Sequence, residues 1–285
     1  MTFALIPLLL LPGLLFSNTA HAEDKLRVVT SIRPLQLITN EIMLGAGQAS
    51  VLIDSNQSPH HFQLRPSQLK LASETDLLIW VSNEFEAGLG RLQDILPASS
   101  HRLQLAVALD SARLIGDQHE LDGHIWLSPI NVIEIAQLIE QQLIELDPAN
   151  RATYRHNAQQ LIDDVERWRL QSLQQIQKIN PGYILDHNFL AYLERDFGLK
   201  NGGSLRDNHN QTGSLRQLAE LHQRLQQAPP SCLLVTKLPI SQQARQISQR
   251  YRLKITQINT LDETDNHKSI LDLLKDIITS LSSCQ

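Results

Sequence analysis

Short apolar runs alternate along this chain with longer segments in which apolar residues recur at three- and four-residue spacing. Arg27-Val28-Val29-Thr30, Val51-Leu52-Ile53 and Leu77-Leu78-Ile79-Trp80-Val81 read as strands. The third is apolar on both faces, as a buried parallel strand should be. Helices are predicted from Pro34 to about Leu44, Pro66 to Ala72, Phe85 to Leu96 and Pro129 to Leu146. Pro66 sits at the first-turn position that proline tolerates. In the last helix Val132, Ile133, Ile135, Leu138, Ile139 and Leu143 form the apolar face.

A different pattern occupies the middle of the chain. From Asp147-Pro148 to about Lys178 there is neither Gly nor internal Pro, and Gln, Arg, Leu and Ala dominate until Asn180-Pro181-Gly182 stops the run. Asp147 is a suitable N-cap with Pro148 at the first helical position. Such a helix would extend about 45 Å, longer than one lobe, and reads as a rigid strut. Beyond it the alternation resumes. Strands are expected at Tyr183–Leu185, Cys232–Thr236 and Lys254–Ile258, with helices at Phe189–Phe197, Ser214–Gln227, Ser241–Arg250 and about Lys268–Leu281. The fold expected is α/β, with two parallel-sheet lobes joined by the long helix and a cleft between them.

The start of the chain adds a compartment. Phe3 to Phe16 is almost wholly apolar, too short to span a bilayer, and is followed by Ala20-His21-Ala22, which suits signal peptidase. No Lys or Arg precedes the run, and no Cys follows the cleavage site. The divisions expected are a signal peptide at 1–22, an N-terminal lobe at 23–146, a connecting helix at 147–180 and a C-terminal lobe at 181–285. Export implies a periplasmic protein. In that oxidising setting a Cys232–Cys284 disulfide is the default, with buried free thiols as the alternative. The net charge of −5 and the absence of any basic run argue against nucleic acid as a partner.

Candidate chemistry comes from the histidines. In parallel α/β sheets ligands bind beyond the carboxyl ends of the strands. His187 directly follows a strand, His60 and His61 lie in a loop after another, and His124 precedes Ile125-Trp126-Leu127-Ser128-Pro129 at the entry to a helix. Asp262 follows the last strand. His156 and His222 fall within helices, where a solvated or packed role is the ordinary one. His101 stands in a Ser-rich connection, and His119, His209 and His267 stand in polar loops.

The local sequences sharpen this reading. Ser58-Pro59-His60-His61-Phe62-Gln63-Leu64-Arg65-Pro66-Ser67, His124-Ile125-Trp126-Leu127-Ser128-Pro129 and His187-Asn188-Phe189-Leu190-Ala191-Tyr192-Leu193 occur in that order, with the strut between the second and third. Each resembles a motif of the zinc-binding periplasmic receptors of metal-uptake ABC transporters, the ZnuA-like cluster A-I substrate-binding proteins. The resemblance covers essentially the whole mature chain. It implies that His60, His124, His187 and Asp262 ligate one Zn²⁺, with His61 a non-ligand. It further implies a zinc-transporter permease as partner and a monomeric receptor without enzymatic activity. Three imidazoles and a carboxylate suit tetrahedral Zn²⁺, whereas manganese members of the superfamily typically carry Glu in place of the third histidine.

Three features depart from the family pattern. The acidic, His-rich loop before the second ligand is reduced to about Gly116–Gly123. A Gly-containing turn is missing after Asp262, where the chain reads Glu263-Thr264-Asp265. Thr236-Lys237 replaces a Glu-Pro pair, and a Lys237 cation near the cleft would oppose metal binding. Two other readings stand beside the receptor. A metallo-hydrolase would need an open metal position and a nearby base, and the chain holds no H-E-x-x-H. A same-fold adhesive or structural protein with weak or no metal delivery fits the altered second lobe.

Overall fold

The computed structural model describes residues 25–54, 57–60, 62–116, 121–176, 182–209, 211, 213–262 and 266–284. The expected signal peptide, His61, His119, the end of the strut after Ile176, and Glu263 to Asp265 lie outside the described residues.

The first lobe runs β1 (Val28–Thr30), α1 (Arg33–Ile42), β2 (Ser50–Val51), α2 (Pro66–Ser73), β3 (Leu77–Trp80), β4 (His101–Gln104), α3 (Leu105–Ala108) and α4 (Pro129–Leu146). A long helix, α5 (Arg151–Ile176), leads to β5 (Tyr183–Leu185), α6 (Ala191–Phe197), α7 (Leu215–Gln227), β6 (Cys232–Val235), α8 (Gln242–Tyr251), β7 (Lys254–Gln257) and α9 (Ile270–Ser282). Among the described residues the strands form two sheets, ordered β2-β1-β3-β4 and β5-β6-β7, and every pairing is parallel. No described helix is long and apolar enough to cross a membrane.

Local chemistry explains where helices begin. The Ser128 hydroxyl accepts from the Asn131 N–H at the start of α4, with Pro129 in its first turn. Ser214, Ser241 and Ser269 cap α7, α8 and α9 in the same way. The predicted helix at Phe85–Leu96 is instead a 3₁₀ helix over Ala87–Asp94. Two glycines weaken α-helix there, and a Cβ on Gly88 would stand 2.9 Å from the Phe62 carbonyl oxygen. Asp147 stands at the N-cap of the 3₁₀ turn Pro148–Asn150 that leads into the strut, with Pro148 at its start as expected. Its carboxylate accepts from the Asn150 amide and the Tyr154 hydroxyl, both at 2.7 Å.

The strut is not free-standing. Its 26 residues extend about 39 Å. Tyr154, Ala158, Leu161, Val165, Trp168, Ser172 and Ile176 are buried at three- and four-residue steps. That stripe packs on α1 and α4 of the first lobe and on α9 of the second. The polar Gln and Arg positions face outward, so a segment that reads as hydrophilic still carries a core seam. One apolar core therefore runs from the first sheet past α5 to the inner face of the second. Ile184, Leu221, Leu233 and Val235 belong to a separate cluster on the other face of β5 and β6.

The C-terminus is tied down twice. Cys232 on β6 is disulfide-bonded to Cys284, just beyond α9. The N–H of Ile270, the first residue of α9, donates to Glu41 on α1 at 2.8 Å. Burial pushes the Glu41 carboxyl up to about 7, a shift opposed by the Ile270 N–H and reinforced by Asp272 and Asp164.

Two outcomes follow for stability. The bridge closes a loop with a sequence separation of 52, so Cys284→Ala should cost about 4 kcal/mol on the chain-entropy estimate, measured by denaturant unfolding. For Glu41, the unfolded carboxyl ionises near 4.5 and the folded one near 7. Its contribution is full below pH 4.5 and is lost as pH rises through 7, an effect of up to about 3 kcal/mol. Glu41→Gln keeps an acceptor for Ile270 and should flatten the decline of the melting temperature between pH 5 and 8. Parallel pH profiles for the two proteins would contradict this.

Candidate metal centre

His60, His124 and His187 converge. One nitrogen of each lies within 4.8 Å of the others, and among the described residues they form the only cluster of His, Cys, Asp or Glu suited to a metal ion. Each arrives from a different element. His60 lies in the loop between β2 and α2, His124 precedes the 3₁₀ turn Ile125–Leu127, and His187 follows β5 by two residues. The first two come from one lobe and the third from the other, so the cluster joins the carboxyl ends of two parallel sheets. His124 and His187 are buried, and His60 is half-buried.

Two carboxylates fix the rings. Asp122 Oδ1 accepts from the backbone N–H of His124 and lies 2.8 Å from its Nδ1. Asp186 Oδ1 accepts from the His187 backbone N–H and lies 3.0 Å from that residue's Nδ1. A carboxylate can only accept, so Nδ1 carries a proton and Nε2 is the nitrogen left for a metal. Carboxylate–histidine pairs of this kind orient metal ligands and raise their basicity. Burial holds the His187 imidazole below its ordinary range, an effect only partly offset by Asp186, which favours the neutral ring a metal requires.

Aromatic rings wall the cluster. Phe85 lies edge-on to His60 at 4.7 Å and to His124 at 5.4 Å between centroids. Trp126 stands 5.5 Å from His124, and Phe189 stands 5.0 Å from His187. Gly123 allows this closeness, since a Cβ there would fall 2.0 Å from the Phe85 ring. Behind Phe85, the buried Glu86 carboxylate accepts from the Ser31 hydroxyl and from the N–H groups of Ser82 and Val81. Burial pushes Glu86 up to about 7. These bonds tie the loop after β3 to the end of β1.

The structure does not bring Asp262 to the histidines, contrary to the ligand set expected from sequence. Its carboxylate is fully buried and engaged elsewhere. Arg33 Nε donates to Oδ2 at 3.1 Å, and Oδ1 accepts from the backbone N–H groups of Asn266 and His267, with His267 Nδ1 at 2.8 Å. Asp262 has φ of 55°, a left-handed conformation that Asp tolerates better than most residues. In this structure a guanidinium occupies Oδ2 and three N–H groups converge on Oδ1.

The remaining histidines are placed plainly. His222 Nδ1 lies 2.9 Å from the Tyr251 hydroxyl, and His101 opens β4 with Nδ1 at 3.2 Å from Gln142. His267 serves Asp262. His209 donates its backbone N–H to Asp207, and its buried Nε2 has no hydrogen-bond partner among the described residues. Lys237 does line the cavity beside the three histidines, as does Arg206. Arg206 donates to the Asp186 carbonyl at 3.3 Å. Asp122, Asp186, Arg33 and Arg206 were not singled out from sequence. The first two carried a signal, an acidic residue two or one positions before a candidate ligand; the arginines are distant in sequence and carried none.

Comparison with known proteins places this geometry. A family model described as zinc-uptake complex component A, periplasmic, matches residues 28–284. The high-affinity zinc uptake system protein ZnuA of Bacillus subtilis is 23% identical over 279 residues, 90% of this chain and 87% of that one. Among solved structures, the laminin-binding protein of Streptococcus agalactiae, described as bifunctional with adhesin and metal transporting activity, superposes with a TM-score of 0.79. It is 21% identical and covers 91% of this chain and all, 100%, of that one. The Mn-bound periplasmic metal-binding protein of Candidatus Liberibacter asiaticus gives 0.76 at 19% identity, covering 92% and 100%. The two structural likenesses bear on the fold.

The orienting carboxylates generate a direct test. Asp122→Asn and Asp186→Asn keep an acceptor for each Nδ1–H but remove its charge. Each should weaken zinc binding by about tenfold to a hundredfold with stoichiometry unchanged, measured by titration against a competing chelator. Wild-type affinity in both variants would mean that these carboxylates do not tune the ligands.

Proposed function

The chain belongs to the family of periplasmic components of zinc-uptake complexes, and from that premise we propose that it captures one Zn²⁺ on His60, His124 and His187 and delivers it to the membrane permease of an ABC transporter. The observation that carries this reading is the convergence of three imidazole nitrogens from two lobes, two of them with Nδ1 held by a carboxylate. The family is one of metal-binding receptors, not enzymes. Structural relatives include a manganese-bound protein, so the choice of zinc rests on this chain's own donors. Three neutral nitrogens without a carboxylate among them form a borderline-soft set that favours zinc over harder, oxygen-preferring cations.

In this reading the metal enters between the lobes as cargo. His60 and His124 form the half of the site belonging to the first lobe, and His187 closes it from the second. Asp262 acts as an interlobe tie through Arg33. The protein works in the periplasm as a monomer after removal of residues 1–22, with a lobe on either side of residues 147–180.

Zinc titration against a chelator, with wild type and four alanine variants, tests the assignment. His60→Ala, His124→Ala and His187→Ala should each lose at least a hundredfold in affinity. Asp262→Ala should lose less affinity but more thermal stability, because it removes the buried carboxylate that pairs with Arg33 across the lobes. Wild-type zinc affinity in all three histidine variants would overturn the site.

A further inference from the structure

Helix α6 belongs to the second lobe, and one side of it is fixed there. Leu193 and Phe197 enter the core, and the Glu194 carboxylate accepts from the Tyr183 hydroxyl on β5 at 2.9 Å and from the Asn201 amide at 2.8 Å. Tyr192, Arg195 and Asp196, spaced i, i+3 and i+4, share a different face. That face reaches into the first lobe. The buried Tyr192 hydroxyl accepts from the Ile115 N–H at 3.1 Å and donates to the Asp122 carbonyl at 2.7 Å. The Asp122 N–H in turn donates to the Ile115 carbonyl at 2.9 Å, so one hydroxyl holds both ends of residues 116–121. Arg195 lies 5.3 Å from the centroid of the Tyr192 ring and donates to the Arg113 carbonyl at 2.7 Å and to the Ser128 hydroxyl at 3.3 Å. Asp196 accepts from that same hydroxyl.

His124 lies between these contacts, two residues after Asp122 and four before Ser128. Asp122 Oδ1 accepts from the His124 N–H and lies 2.8 Å from its Nδ1, so a path of hydrogen bonds runs from Tyr192 through Asp122 to the second histidine. At its other end α6 begins four residues beyond His187. Resting on the metal-site reading, we propose that α6 is a clamp for the metal centre, in which Tyr192 and Arg195 set His124 against His187. Neither side chain lines the cavity at the histidines. They are positioning residues, acting through the Asp122 and Ser128 ends of the segment that carries His124. Apolar packing along α5 brings the lobes together without fixing the direction of a ring nitrogen, and the bonds from α6 supply that direction. The Tyr192 hydroxyl is the central group: a phenylalanine ring would fill the same space but leave the buried Asp122 carbonyl without this donor.

The test uses the full mature chain, zinc titrated against a competing chelator, and cobalt(II) as a spectroscopic probe. Tyr192→Phe should weaken zinc binding by about tenfold, the scale on which residues that orient metal ligands act, with one metal still bound per chain. Its cobalt complex should show an altered visible spectrum, because His124 meets the ion at a changed angle. The discriminating comparison is between two backgrounds. Added to His60→Ala, Tyr192→Phe should still cost about tenfold; added to His124→Ala it should cost less than about twofold, because the ligand it acts through is gone. Arg195→Met should follow the same pattern, which keeps the test available if Tyr192→Phe does not fold. Wild-type zinc affinity in folded Tyr192→Phe and Arg195→Met overturns the clamp and leaves the metal site standing. Equal losses in the two backgrounds also overturn it, since they report general weakening and not a path through His124. If His60→Ala, His124→Ala and His187→Ala all bind zinc as the wild type does, the metal site itself falls and the clamp with it.

Discussion

The structure depends on bringing three neutral imidazoles from two separate sheets to within 4.8 Å of one another. A metal–ligand bond tolerates errors of a few tenths of an ångström, so neither sheet can drift relative to the other. Flexible hinge strands would spend binding energy on ordering the lobes. Here α5 runs along both lobes with a continuous buried seam, and the apolar core passes from one lobe to the other. Placement of the site is thus a packing result before it is a coordination result.

Polar contacts between lobes refine what packing fixes. Trp126 Nε1 donates to the Thr260 carbonyl at 2.8 Å, so the ring beside His124 is anchored by the opposite lobe. The Tyr192 hydroxyl donates to the Asp122 carbonyl at 2.7 Å and accepts from the Ile115 N–H. Since Asp122 orients His124, a residue in the first turn of α6 helps position a candidate ligand of the first lobe. The Ser128 hydroxyl, which caps α4, is bonded to Asp196 on α6. Arg33 and Asp262 add a buried ion pair between α1 and the end of the last strand. Such a pair gives little net stability against an apolar alternative but is costly to break on one side. Its effect is to penalise misplacement of the lobes.

Much of this was legible in the sequence, and the gaps have physical causes. Parallel α/β lobes followed from the alternation of apolar runs with helical periodicity, and α4 was bounded at Pro129 and Leu146 by its proline and its apolar face. The three histidines were legible because each sits in a motif beyond a strand or before a helix. The 3₁₀ segment after Phe85 was missed because its conformation follows from the close approach of Gly88 to Phe62, a tertiary contact. The surroundings of Asp262 were hidden for a similar reason. Its partner Arg33 lies at the other end of the chain, and only the fold shows which cation meets the carboxylate.

That capture bears on the electrostatics of the centre. An aspartate in direct contact would halve the charge of a bound dication, whereas Asp122 and Asp186 act through an imidazole ring and polarise the ligand without touching the metal. Of the cations lining the cavity, Arg206 is paired with the Asp186 carboxylate at 3.5 Å, so its charge is partly met by the group that orients His187. A receptor must release its cargo as well as hold it, so affinity built from reversible neutral donors differs in kind from affinity built on a fourth, anionic protein ligand. With Asp262 held in an ion pair with Arg33, the donors that converge among the described residues are the three imidazoles.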